Sequence, residues 1–96
     1  MRRGRIFLLT LFLVLPMVQV AWGQSIEDYY TQGSQKYKIS DFRGALEAWE
    51  RGLALAETVG NNQAIGVFLG NIGMVYDNLG DYPKALSYYC LLYTSP

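Results

Sequence analysis

From residue 26 onward, apolar side chains recur at spacings of three and four, the period of a helix resting on a core. Ile26, Tyr29, Tyr30, Gly33 and Tyr37 form one stripe; Phe42, Ala45, Leu46, Trp49 and Leu53 form a second. A third runs through Leu69, Ile72, Gly73 and Tyr76, and a fourth through Ala85, Leu86 and Tyr89. No run alternates with period two, so the pattern predicts no strand. The breaks between stripes carry start and stop signals. Ser25, Asp41, Asn61 or Asn62, and Asp81 offer side-chain oxygens to the free N–H groups of a first turn. Pro83 follows Asp81 where a missing N–H costs little, and Gly60 suits the position just past a helix end. The pattern predicts helices over residues 26–39, 42–59, 62–79 and 82–93, an all-α chain.

The stripes are also copies of one another. Forty residues apart, Gly33 meets Gly73, Asp41 meets Asp81, Phe42 meets Tyr82 and Ala45 meets Ala85. In the same register Leu46 meets Leu86, Trp49 meets Tyr89, and Ser40 meets Gly80. A constant offset of this size marks stacked helical hairpins. Glycine and alanine let two helices approach, and the large rings of Trp49, Tyr76, Tyr82 and Tyr89 fill the space beside them.

The clearest copy is Leu69-Gly70-Asn71-Ile72-Gly73-Met74-Val75-Tyr76, followed by Leu79-Gly80-Asp81-Tyr82-Pro83-Lys84-Ala85-Leu86-Ser87-Tyr88-Tyr89. It resembles the tetratricopeptide repeat family, in the variety with a period near 40 rather than 34 residues. The first copy departs from the second, with Gln32 against Ile72 and Lys36 against Tyr76, as an atypical terminal repeat does. The resemblance covers residues 26–89. It implies antiparallel helix pairs stacked as a short right-handed α-solenoid, with a concave face that binds peptides or proteins and no enzymatic activity.

Ahead of the repeats, Arg2, Arg3 and Arg5 precede an apolar run over residues 6–15, and Ala21-Trp22-Gly23 offers small residues for cleavage. This is the pattern of a secretory signal peptide. A retained anchor is the weaker reading, because a span needs about 20 apolar residues and Pro16 and Gln19 interrupt this one. The expected organisation is a signal peptide at 1–23, a first repeat at 24–60 and a second at 61–96, in a secreted or periplasmic protein. The second repeat is expected to be incomplete. Its tail, Cys90-Leu91-Leu92-Tyr93-Thr94-Ser95-Pro96, replaces the Glu50-Arg51-Gly52-Leu53-Ala54 of the first copy. That tail also resembles the translation of sequencing-adapter DNA.

Composition narrows the function. The chain is formally neutral, but Arg2, Arg3 and Arg5 lie in the leader, so the remainder keeps five basic side chains against eight acidic ones, 5 − 8 = −3. A nucleic-acid partner, which requires neutralised phosphates, is excluded. With no histidine and one cysteine, His-based catalysis, zinc sites and an intrachain disulfide are excluded as well. No cofactor is expected. Gly66-x-x-x-Gly70 reads as close helix packing, and the Asp77, Asn78, Gly80, Asp81 cluster as a cap and turn rather than a calcium loop.

The face beside the core stripes carries Glu27, Thr31, Ser34 and Lys38 on the first helix and Val67, Asn71, Met74 and Asn78 on the third. The resemblance places this face in the concave groove. The candidate partner-binding residues are Tyr30, Ser34, Lys38, Asn71, Met74 and Asn78. Asparagine can both donate to and accept from a ligand backbone, and tyrosine offers a flat ring with a polar tip. The expected function is therefore an exported scaffold for a protein or peptide partner. The alternative is the front of a larger exported enzyme or sensor, such as a caspase-like peptidase or a histidine kinase. Self-association that completes the stack is a third option.

Overall fold

The structure, a computed structural model, describes residues 24–94. The expected signal peptide at 1–23, together with its cleavage and export, lies outside the described residues. The described chain is all-α, with helices α1 (Ile26–Lys38), α2 (Phe42–Val59), α3 (Asn62–Asn78) and α4 (Tyr82–Thr94). Among the described residues there is no strand.

Each helix starts at a side-chain cap. Ser25 Oγ accepts from the Asp28 N–H at 3.2 Å, while an Asp28 carboxylate oxygen accepts from the Ser25 N–H at 2.9 Å, a reciprocal capping box. Glu27 and Asp28 sit at the positive end of α1, and Lys36 and Lys38 at its negative end, so both ends suit the helix dipole. Asp41 caps α2 through the Gly44 N–H at 3.0 Å, and Asn61 caps α3 through the Ala64 N–H at 3.1 Å. Asp81 accepts from the Lys84 N–H at 3.3 Å at the start of α4.

The forty-residue offset extends to backbone hydrogen bonds. Ser40 N–H donates to Tyr37 C=O at 3.0 Å and Asp41 N–H to Lys36 C=O at 2.9 Å. Forty residues on, Gly80 N–H donates to Asp77 C=O at 3.0 Å and Asp81 N–H to Tyr76 C=O at 2.9 Å. The first turn places Ser40 at φ 62° and the second Gly80 at φ 81°, both left-handed. A pair of bonds of this kind satisfies the last carbonyls of a helix and requires one left-handed residue. The first copy thus puts serine where the second uses the residue that fits without strain.

Packing is consecutive: α1 on α2, α2 on α3 and α3 on α4, with a smaller contact between α1 and α3. Three glycines carry these crossings. Gly33 lies against the Trp49 indole and Gly73 against the Tyr89 ring, two pairs related by the offset, while Gly52 lies against the Phe68 ring. A Cβ at Gly73 would sit 2.7 Å from Tyr89 Cε1, so the close approach depends on its absence. Trp49 is 2% exposed and its Nε1–H donates to the Tyr30 carbonyl at 3.1 Å, so no polar atom is left unpaired by burying it.

Two expectations about the core change. The third stripe omits Phe68 and Val75, which are among the most buried side chains. Helix α3 is covered by α2 on one side and α4 on the other, so it buries two stripes where the periodicity sought one. Conversely, Leu86 of the fourth stripe is 62% exposed, and Tyr82, expected to fill space beside the small residues, is 66% exposed. Nothing among the described residues packs on that side of α4. Gly66 and Gly70 receive the Leu92 methyls at ordinary contact distance (3.4 and 3.6 Å to an added Cβ), which is packing and no more.

Candidate interaction surface

The six candidate residues lie on α1 and α3, and the structure separates their roles. Asn78 donates from Nδ2 to the Tyr37 hydroxyl at 2.8 Å and to the Met74 carbonyl at 2.9 Å. Its amide therefore ties α3 to the end of α1. Ser34 donates its hydroxyl to the Tyr30 carbonyl at 2.9 Å, a bond within its own helix. Met74 packs against the core from a half-buried position. Asn71 is half-buried, Lys38 is exposed and Tyr30 is 45% exposed, so these three still present surface.

The Asn78–Tyr37 bond closes the C-terminal ends of α1 and α3. Toward their N-terminal ends the surface opens into a groove of about 350 Å³. Ile26, Glu27 and Tyr30 form one wall, and Asn61, Gln63, Ala64, Val67 and Phe68 form the other. Tyr30 and Val67, at 45% and 43% exposed, are its accessible apolar surface. Glu27, Asn61 and Gln63 give it a polar rim carrying one negative charge. Apolar walls with a few polar groups suit a short segment that buries an aliphatic or aromatic side chain. Of the candidate set only Tyr30 lines this groove. Val67 and Glu27 lay on the same predicted face one turn nearer the helix starts, and the signal for choosing them is the convergence of the two helices at Asn78.

A second groove, of about 410 Å³, lies between α1 and α2 and is lined by no residue of α3. It is lined by charge: Lys36 pairs with Asp41 at 3.6 Å, Arg51 pairs with Glu47 at 3.0 Å, and Arg43 stands beside them. Exposed pairs of this kind contribute on the order of 0.5 kcal/mol each.

Aromatic contacts brace both hairpins. Tyr37 meets Phe42 edge-on at 5.5 Å and Trp49 at 5.9 Å. Tyr76 stacks on Tyr88 at 5.6 Å, with the Lys84 ammonium 5.0 Å from the Tyr76 ring centre. Burial raises the Tyr88 hydroxyl pKa above its ordinary value, with Tyr76 and Glu50 adding to the effect and Lys84 opposing it. Burial, then Asp77 and Tyr37, raise that of Tyr89.

Among the described residues no group of three or more His, Cys, Asp or Glu side chains converges, and no helix is long and apolar enough to cross a membrane. Cys90 is free and exposed. Compared with known protein families, curated proteins and solved structures, the chain matches none.

Proposed function

We propose that this chain is an exported interaction scaffold of tetratricopeptide type that holds a segment of a protein partner between α1 and α3. The observation that carries this reading is the groove at the N-terminal ends of the two helices, where Tyr30 and Val67 stay accessible beside Glu27. The family resemblance assigns ligand binding to that same side, and the recurrence of the turn bonds supports the resemblance. In this reading Asn78 and Ser34 build the groove and do not contact the ligand. Tyr30, Val67 and Glu27 contact it, and the partner contributes one apolar side chain with a basic or amide neighbour.

Selection of peptides from a random library on the chain, followed by titration of the best binder, tests the proposal. Tyr30→Ser with Val67→Asp should weaken binding at least tenfold while leaving the helical spectrum intact, because both side chains are half in solvent. Equal binding to the double variant would reject the groove. A second reading, that these hairpins are the front of a larger exported enzyme or sensor, draws on the uncovered apolar face of α4.

A further inference from the structure

Two described residues, Gln24 and Ser25, stand ahead of α1, both exposed and both outside the helix. The cap of α1 begins at Ser25. Its N–H donates to the Asp28 carboxylate, its Oγ accepts from the Asp28 N–H, and its carbonyl accepts from the Tyr29 N–H. For the Ser25 nitrogen to serve as an amide donor, one residue must remain ahead of it. Ala21 and Gly23 put small residues at the two positions a signal peptidase reads. Cleavage after Gly23 leaves one residue before the cap, and that residue is a glutamine.

Cleavage frees the α-amine of Gln24, which changes what its side chain can do. The amine nitrogen and the side-chain carbonyl carbon Cδ are joined through Cα, Cβ and Cγ, so attack of one on the other closes a five-membered lactam. Gln32, Gln35 and Gln63 lie inside helices with their nitrogens already in peptide bonds, so this route is closed to them.

We infer that the exported chain is modified at Gln24, which cyclises to pyroglutamate. The inference rests on the export reading, with cleavage after Gly23. The Gln24 amine nitrogen bonds to Cδ, the Cδ–Nε2 bond breaks, and Nε2 leaves as ammonia with the proton that the amine gives up. No oxidant, metal or second substrate is consumed. The ring removes no helical hydrogen bond, because Gln24 is outside α1 and the cap uses atoms from Ser25 onward. It also removes a charge: a free α-amine titrates at about pH 8, and its cation would stand at the positive end of the α1 dipole. The lactam is neutral there. It leaves no free amine for an aminopeptidase, whose first cut would turn the Ser25 capping amide into a terminal amine.

The test exports the full chain from a host with a signal peptidase and reads the intact mass and N-terminal sequence of the product. The expected mass is that of residues 24–96 less one ammonia. Stepwise N-terminal degradation should be blocked, and pyroglutamyl aminopeptidase should open it to a sequence beginning at Ser25. Gln24→Asn, whose shorter side chain could close only a strained four-membered ring, should be exported with its full mass and a free amine. A product that begins at Gln24 with full mass and an open sequence would overturn the inference and leave the export reading standing. Loss of ammonia in Gln24→Asn as well would place the change elsewhere and overturn it too. A start at another residue beyond the leader's apolar run would also overturn it, while retention of Met1 would overturn the export reading and the inference together.

Discussion

At the scale of single residues, the same amino acid does opposite things in this chain, and space decides which. A methyl added at Gly33 would overlap the Trp49 indole, which is buried and cannot move aside. Overpacking of that kind costs about 1–3 kcal/mol, more than the ~1 kcal/mol that alanine's better helix propensity returns. Gly33→Ala should therefore lower stability. Gly70→Ala should raise it by about 0.5–1 kcal/mol, because an added Cβ there meets only Leu92, at 3.6 Å. Urea midpoints for the two variants should move in opposite directions; shifts of the same sign would contradict the packing described. Ser40, left-handed at φ 62°, offers a third case. Ser40→Gly should stabilise by about 0.5–1 kcal/mol by removing the Cβ strain of that conformation. Part of this scale was legible beforehand: the offset marked Gly33 and Gly73 as equivalent small residues and Trp49 and Tyr89 as equivalent rings, while their contact within each copy comes from the structure. The hydrogen bonds of Ser34 and Asn78 were not, because a polar side chain on a predicted binding face reads the same whether it faces a ligand or its own backbone.

At the scale of elements, helix starts were legible because a cap is a local event. Ser25, Asp41, Asn61 and Asp81 accept from N–H groups three residues on, and each helix begins where its cap places it. The ends of α1 and α3 fall one residue before the predicted 39 and 79, since Ile39 and Leu79 are themselves the C-caps. Ser25→Ala should destabilise by about 1 kcal/mol and fray α1 first, which amide exchange at residues 26–30 would report. The burial of Phe68 and Val75 was not legible, since a single stripe cannot describe a helix covered on two sides. The tyrosines of α4 give a pH test. Tyr88 and Tyr89 hold their protons above the ordinary tyrosine value in the folded chain. The stability linked to them is fully present below pH 10, the unfolded value, and falls as pH rises through the folded values. Guanidinium midpoints taken from pH 9 to 12 should decline, and the decline should shrink in Tyr88→Phe with Tyr89→Phe.

At the scale of the whole molecule, the two ends of the helix series differ: charged and amide-rich at α1–α2, apolar along α4. The groove between α1 and α3 depends on how the two helices converge at Asn78 and Tyr37, a property of no local stretch, so the periodicity alone could not place it. One experiment reaches the central claim, that a single hairpin of helices occurs twice with a glycine against a ring in each copy. Nuclear Overhauser spectra should show the Trp49 indole protons close to the Gly33 α-protons, and the Tyr89 ring protons close to those of Gly73. Finding only one of these contacts, or neither, would contradict the account.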